Sequence, residues 1–492
     1  MYSIGYDVGS SSVKGALIEI DSGIAIASCK YPEEELLINS PKRGWAEQNP
    51  NTWWTCIIEV TRQLLDQTRI DSNRVASIGI AYQMHGLVLI DNKGEVVRPC
   101  IIWCDSRAVA IGEEVLAGIG ESYAFQSLLN SPGNFTVSKL KWVQENEPAI
   151  YKQVEKLMLP GDYINFKLSG DINTTISGLS EGIFWDFEQN KVSKKLLDYL
   201  KIDCSIIPSV VPNVGLQSRL SDRAANELGL SSGTPIAYRA GDQPNNALAL
   251  NVMKPGEIAA TAGTSGVVYA VTDQLVADKL NRVNSFAHVN HSLRNTQIGV
   301  LLCLNGTGIQ YSWLRKILGG NLSYTELEEL SNEAPIGSKG CMVFPFGNGA
   351  ERIFENRMLN ASIQNIDFNH HSKSDIIRAT LEGIANSFIY GIEILQSLNI
   401  DISTLKVGND NLFQSKIFRE HMANVLQIEI QIMEVNGAIG AAKGAAVGAH
   451  LKESLAAFGS SNILETIIPG GNTEDHKMAY HSWKDHLNKK II

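Results

Sequence analysis

Ile4-Gly5-Tyr6-Asp7-Val8-Gly9-Ser10-Ser11-Ser12-Val13-Lys14-Gly15 decides the fold: two apolar runs joined by an acidic turn rich in glycine and hydroxyls. The pattern predicts strands over 2–7 and 13–20 with a tight turn at 9–12. Successive N–H groups and hydroxyls in such a turn form a concavity for anions, and Gly9 lets an anion approach the backbone. The turn is no Walker loop, because G-x-x-x-x-G-K-[ST] is missing and a strand, not a helix, follows. The grammar recurs at Thr261-Ala262-Gly263-Thr264-Ser265-Gly266, between strands predicted over 257–261 and 267–271. About twenty residues earlier, Ala240-Gly241-Asp242-Gln243-Pro244 sets a lone carboxylate on a turn. Two phosphate-friendly turns predict one nucleotide held between two similar halves, and hence phosphoryl transfer.

The rest of the chain alternates strands and helices, the mark of α/β layering. A third strand is expected over 24–29 and a helix over 50–68, opened by Pro50, with Trp54, Ile57, Val60 and Leu64 at helical spacing. Strands over 75–81 and 87–90 follow. In the second half the pattern predicts a long helix over 375–398, a strand over 405–407 and a turn at 408–411. A helix over 412–426, a strand over 429–433 and a small-residue run over 437–449 complete it. The halves are expected to join near residues 244–255.

The 492 residues are enough for two domains of roughly 200–250 each, and domains of that size bury an ample core. Lys plus Arg number 42 against 52 Asp plus Glu, a net charge of −10, and no basic cluster marks a nucleic-acid partner. Seven cysteines lie scattered with no C-x-x-C, which reads as reduced thiols in the cytoplasm. Neither a signal peptide nor a membrane-length apolar run is expected.

Several residues have the chemistry for catalysis. Asp7, ending a buried strand before the glycine turn, suits an oxygen ligand for nucleotide-borne magnesium; otherwise it closes a hairpin. Asp242 suits a general base taking the proton of an attacking hydroxyl; otherwise it is a turn or helix-capping residue. Gln243 can hydrogen-bond substrate hydroxyls. His85, in Met84-His85-Gly86 between two strands, can do so through either ring nitrogen. Trp103-Cys104-Asp105-Ser106-Arg107 offers an apolar face with directional polar groups, the mixture that grips a polyol, or else core packing and a local ion pair. His370-His371 and the pair His288 and His291 lack metal-ligand partners and read as structural or surface residues. Cys100 and Cys104 could share a helix face, without further ligands.

Taken in order, these motifs resemble the FGGY family of carbohydrate kinases within the actin-like ATPase superfamily. The series runs Asp7-x-Gly9-Ser-Ser-Ser-Val-Lys14, Gln83-Met84-His85-Gly86, Trp103-Cys-Asp105-Ser-Arg107, Thr136-x-x-Lys139-Leu140-x-Trp142, Gly241-Asp242-Gln243, Gly263-Thr264-Ser265, Asn305-Gly306-Thr307 and Ala379-Thr380-Leu381-Glu382-Gly383. The resemblance covers residues 1 to about 455. It implies two actin-like (ribonuclease H-like) α/β domains flanking a central cleft, taken as 1–245 for sugar and phosphate and 246–492 for nucleotide. Within the family, Gln83-Met84-His85-Gly86 is most like the D-xylulose kinases, so the resemblance implies ATP- and Mg2+-dependent phosphorylation of D-xylulose in a cytoplasmic homodimer. Kinases of L-ribulose or gluconate, and a catalytically silent nucleotide or sugar sensor, are the alternatives.

By resemblance, Asp242 is the base and Asp7 holds magnesium. Ser11, Ser12, Gly263, Thr264 and Ser265 surround the phosphate, and Met84, His85, Trp103, Asp105 and Gln243 face the sugar. Gly306 and Thr307 approach the nucleotide phosphates, while Gly408, Asn409 and Asn411 border adenine. The chain departs from the family at Gly408-Asn409-Asp410-Asn411, where a Gly-Gly-Gly-Ala-like turn is usual, and at Asn134 and Asn365. Asn and Asp tolerate left-handed backbone, so the turn survives with less room for the nucleoside. Closure of the two halves over the sugar is expected to exclude water.

Overall fold

The computed structural model describes residues 1–491 except 319, 321, 435 and 459–462. The opening motif is a hairpin: β1 (Tyr2–Val8) pairs antiparallel with β2 (Val13–Glu19), Asp7 opposite Lys14. β3 (Ala25–Tyr31) continues the meander, running two residues past the strand expected over 24–29. Helix α1 (Pro50–Thr68) has the predicted bounds. Asn49 accepts the N–H of Asn51 at its start, a left-handed Arg69 ends it, and Trp53, Trp54, Ile57, Val60 and Leu64 are buried. Then come β4 (Val75–Tyr82), the short helix α2 (Ile176–Glu181), β5 (Val214–Arg219) and β6 (Pro235–Gly241). The first sheet has the order β5-β6-β4-β1-β2-β3, with β6, β4 and β1 parallel.

Helix α3 (Asp242–Ala249) leads into the second half, which begins with the hairpin β7 (Glu257–Ala262) and β8 (Gly266–Thr272). β9 (Val283–Ala287), β10 (Ile298–Leu304) and α4 (Gly308–Ile317) follow. Next are α5 (Lys373–Ser397), β11 (Thr404–Gly408), α6 (Lys416–Leu426), β12 (Glu429–Met433), α7 (Gly437–Gly448) and β13 (Ile463–Ile467). The second sheet has the order β9-β10-β8-β7-β11-β12-β13. β7, β11 and β12 are parallel and β13 is an antiparallel edge, repeating the first sheet with β9 added.

Two sequence expectations need correction. The helix expected over 412–426 is broken, because Ser415 accepts the N–H of Phe418 and starts α6 afresh behind a single turn at Asn411–Gln414. Cys100 and Cys104 share no helix; Cys100 lies in a short buried strand and Cys104 in an exposed turn.

Helix α7 crosses between the halves. It follows β12 of the second sheet, yet it packs across β1, β4 and β6 of the first. Its backbone comes so close that a β-carbon on Gly5 would meet the Ala438 carbonyl, and one on Gly79 the Ala441 carbonyl. Ser3 Oγ donates to the Ala442 carbonyl at 2.8 Å. The small-residue run over 437–449 is therefore the seam between the halves. No helix among the described residues is long and apolar enough to cross a membrane.

Candidate active site

The parallel core of the first sheet places the site. Asp7 pairs with Ala81 on β4, and Ala81 pairs with Ala240 on β6, so three strands end level with one another. From their carboxyl ends emerge the 9–12 turn, the Gln83–Met84–His85 segment and Asp242, side by side, where open α/β sheets bind ligands. Strand spacing of ~4.8 Å puts the Asp7 and Asp242 backbones ~10 Å apart, with the histidine segment between.

Asp242 is the first residue of α3, not a turn residue. Burial, then the charge of Asp7, pushes its carboxyl up from 3.8 to about 7, against the N–H groups of Gln243. Burial supplies the larger share of the rise and the Asp7 charge the next. A carboxyl at about 7 is matched to proton abstraction at neutral pH. Asp7 is raised by burial as well, with Lys14 Nζ at 3.9 Å opposing.

His85 has a left-handed backbone, φ 62°. Its Nδ1–H donates to the Glu181 carbonyl at 3.0 Å, leaving Nε2 as an acceptor for a hydroxyl. The Glu181 carboxyl accepts the His85 backbone N–H at 3.4 Å, so one residue clamps both ends of the histidine. Burial, then Lys139, holds the imidazole down to about 3, so it stays neutral. Lys139 Nζ donates to the carbonyls of His85 and Ile102 at 2.8 and 3.0 Å. Met84 is buried against Gly241, directly behind Asp242. Phe135 and, from the second half, Phe286 pack on the His85 ring at 4.8 and 5.4 Å between centroids.

Trp103 is 54% exposed and its Nε1–H donates to Ser10 Oγ at 3.4 Å, so the indole stands beside the 9–12 turn. Asp105 does not face the cleft. It is buried, with its oxygens taken by the Ala46 N–H at 2.6 Å and by Arg107 at 2.7–3.0 Å. Arg107 in turn pairs with Glu47 at 2.7 Å and stacks on Trp45 at 3.8 Å. The local ion pair is the correct reading of this motif, because carboxylate oxygens with no open side cannot receive sugar hydroxyls.

The second sheet supplies the other wall. β7 and β11 end together, which brings Gly263, Thr264 and Ser265 beside Asn411. Gly263, Thr264 and Asn411 line a cavity of about 600 Å³ with Tyr311, Tyr324 and Glu328. A β-carbon on Gly263 would meet nothing nearer than 3.8 Å, leaving open space over the backbone. Gly306 and Thr307 are tied to this turn. The Gly306 N–H donates to Glu351 at 2.9 Å, and buried Thr307 Oγ1 donates to the Gly263 carbonyl at 3.0 Å. Both brace the phosphate turn through these bonds. Gly408 and Asn409 stand beside the cavity but do not line it, since β11 runs through Gly408 and the Asn409 N–H is held by the Met433 carbonyl.

Residues 2–249 match the N-terminal domain of the FGGY family of carbohydrate kinases and residues 258–449 its C-terminal domain. The chain belongs to the FGGY family of carbohydrate kinases. FGGY kinases move a phosphoryl group to an alcohol of a sugar, and this chain is such an enzyme. It is 28% identical to the xylulose kinase of Staphylococcus xylosus over 407 residues, covering 82% of each chain. The crystal structure of a xylulose kinase from Rhodospirillum rubrum superposes with a TM-score of 0.89 at 23% identity over 99% of both chains. A gluconate kinase from Lactobacillus acidophilus superposes nearly as well, 0.88 at 21% identity over 100% of this chain and 98% of that one. The FGGY fold by itself therefore does not choose the sugar.

Three residues of this FGGY site escaped sequence reasoning. Glu181 is fully buried between His85 and Gly241, and burial raises its carboxyl well above the usual range. Glu351 is fully buried, accepts the N–H groups of Asn305 and Gly306 at 3.0 and 2.9 Å, and is raised to about 7 by burial. Phe286 arrives from an edge strand of the other half. None stands in a motif; only the folded chain brings them to the site.

Proposed function

We propose that this FGGY kinase transfers the γ-phosphoryl group of ATP to the terminal hydroxyl of D-xylulose, giving D-xylulose 5-phosphate, with Asp242 as general base. The observation that carries the reading is the carboxyl of Asp242 at the first turn of α3, poised near neutrality, one strand from the hydroxyl acceptor of His85. The hydroxyl proton passes to the Asp242 carboxylate as its oxygen attacks phosphorus, and ADP leaves with the bonding pair. Full-length similarity to xylulose kinases and the Met84–His85 segment support the ketose.

Residues 1–245 form the sugar half and 246–492 the nucleotide half. The cavity beside Gly263, Thr264, Ser265 and Asn411 suits a nucleoside with its phosphates over the glycine turn, and Ser11 and Ser12 would meet those phosphates from the first half. Magnesium fits a single carboxylate plus phosphates, and Asp7 would hold it; among the described residues no cluster of three or more metal-ligating side chains competes. The metal would neutralise charge on the transferring group. Unpaired cysteines agree with a reducing cytoplasm, and the resemblance supports a homodimer.

Another sugar such as gluconate is the second reading, because the fold is shared with a gluconate kinase. ADP release across ketopentoses, polyols and aldonates separates the two. D-xylulose as the preferred substrate supports the first reading, and gluconate in its place overturns it.

A further inference from the structure

Gln48 stands between the turn at 9–12 and the segment that begins at Gln83. It occupies a two-residue strand, Glu47–Gln48, paired with Cys100–Ile101 just ahead of α1. The side chain is buried, and every hydrogen-bonding position of its amide is filled. Oε1 accepts the indole N–H of Trp53 at 3.2 Å and an Nε2–H of Gln83 at 3.3 Å. Nε2 donates to the Ser10 carbonyl at 2.6 Å and to the Leu37 carbonyl at 3.5 Å. An indole N–H only donates and a carbonyl only accepts, so the amide has a single orientation.

The turn is gripped by its carbonyls. Gln48 holds that of Ser10, the Leu36 N–H that of Ser11 at 2.7 Å, and the Gly9 N–H that of Ser12 at 3.1 Å. No acceptor among the described residues takes the N–H of Ser10, Ser11 or Ser12. In a planar trans peptide the carbonyl of one residue and the N–H of the next point opposite ways. The bond from Gln48 to Ser10 therefore turns the Ser11 N–H away from Gln48, and Ser11 is exposed. Leu36 does the same for the Ser12 N–H. Successive free N–H groups aimed outward form a concavity for an anion.

We propose that Gln48 is a positioning residue for phosphoryl transfer, fixing the Ser10–Ser11 peptide so that the Ser11 N–H meets the transferring phosphate. Through Gln83 the same amide ties that peptide to the sugar-facing segment. This role rests on the turn receiving phosphate, as in the proposed function. A donor aimed in advance stabilises charge in the transition state without reorienting, so its loss falls on the transfer step and spares ground-state binding.

The test uses full-length protein, the sugar that the panel selects, and ADP with magnesium and aluminium fluoride, a mimic of the phosphoryl group in flight. Gln48→Met removes the donor and adds no charge. Its kcat should fall at least about tenfold, and the Kd of the aluminium fluoride complex should rise at least about tenfold. By calorimetry, the Kd values for ADP alone and for sugar alone should stay within about threefold of wild type. Gln48→Glu keeps an acceptor for Trp53 and Gln83 and should show the same losses, so it decides the matter where the Met variant does not fold. Wild-type affinity for the fluoride complex in either folded variant overturns the role. Equal weakening of ADP, sugar and the fluoride complex also overturns it, because that marks a general folding defect. Ser11→Pro deletes the N–H itself. A fluoride complex that binds normally there overturns the phosphate reading of the turn, whereas weakening in Ser11→Pro alone overturns only the part given to Gln48.

Discussion

A β-carbon on Gly437 would stand 2.6 Å from Asp7 Oδ2, so the acidic end of β1 abuts the first residue of α7. The Gly437 carbonyl also accepts from Asn245 Nδ2 at 2.9 Å, which ties the same turn to the helix carrying Asp242. Both carboxylates proposed for the reaction thus share one anchor, and a helix N-terminus there favours negative charge on Asp7.

Gly437→Ala should displace Asp7 without emptying the core. Support for a metal ligand is typically worth 10–100-fold in affinity. The magnesium concentration for half-maximal activity should rise at least about tenfold with little change in melting temperature. An unchanged magnesium dependence would detach Asp7 from the metal.

Asp242 must be ionised to accept a proton, so kcat/KM should fall as pH drops below about 7. Asp242→Ala should fold and lose at least about a hundredfold in turnover. Because the folded pKa lies above the unfolded 3.8, the unfolded chain ionises first, and the carboxyl costs stability progressively from pH 3.8 to about 7. Asp242→Asn should accordingly melt higher than wild type at pH 8 and level with it near pH 3.5. Equal melting at pH 8 would contradict the buried-acid assignment.

Glu181 is expected to act through His85. Glu181→Ala should raise KM for the sugar about tenfold and leave KM for ATP alone, whereas Glu181→Gln keeps an acceptor for the His85 N–H and should recover most of the loss. Since the imidazole is held down to about 3, sugar KM in wild type should show no histidine step between pH 5 and 8. A Gln variant as impaired as Ala would show that the clamp is not the cause.

Glu351 holds two successive N–H groups of the turn that braces Gly263. Glu351→Ala leaves both without a partner, at about 1–3 kcal/mol each, and should weaken nucleotide binding at least about tenfold while sparing sugar binding. Calorimetry with ADP and with sugar separately would reveal a general folding defect as a loss of both.

The hairpin about Gly9, its counterpart about Gly263 and helix α1 were legible because each is written locally, in alternation, turn chemistry and a capped amphipathic face. The place of Asp242 on a helix was hidden by Pro244, which is equally at home in a turn or a first helical turn. Asp105 misled because the Ala46 N–H that it accepts, and the Glu47 that shares Arg107 with it, lie some sixty residues upstream. The hold of Glu351 on the Gly306 N–H was invisible for the same reason, since the two lie forty-five residues apart. Long-range pairing decides such positions, and periodicity carries no trace of it.

The crossing of α7 bears on how the chain is made. A ribosome that has delivered residues 1–249 has emitted every strand of the first sheet but not the helix whose backbone fills the notches at Gly5 and Gly79. Nearly two hundred more residues must emerge before that face is covered, so the first half matures last, at the end of synthesis.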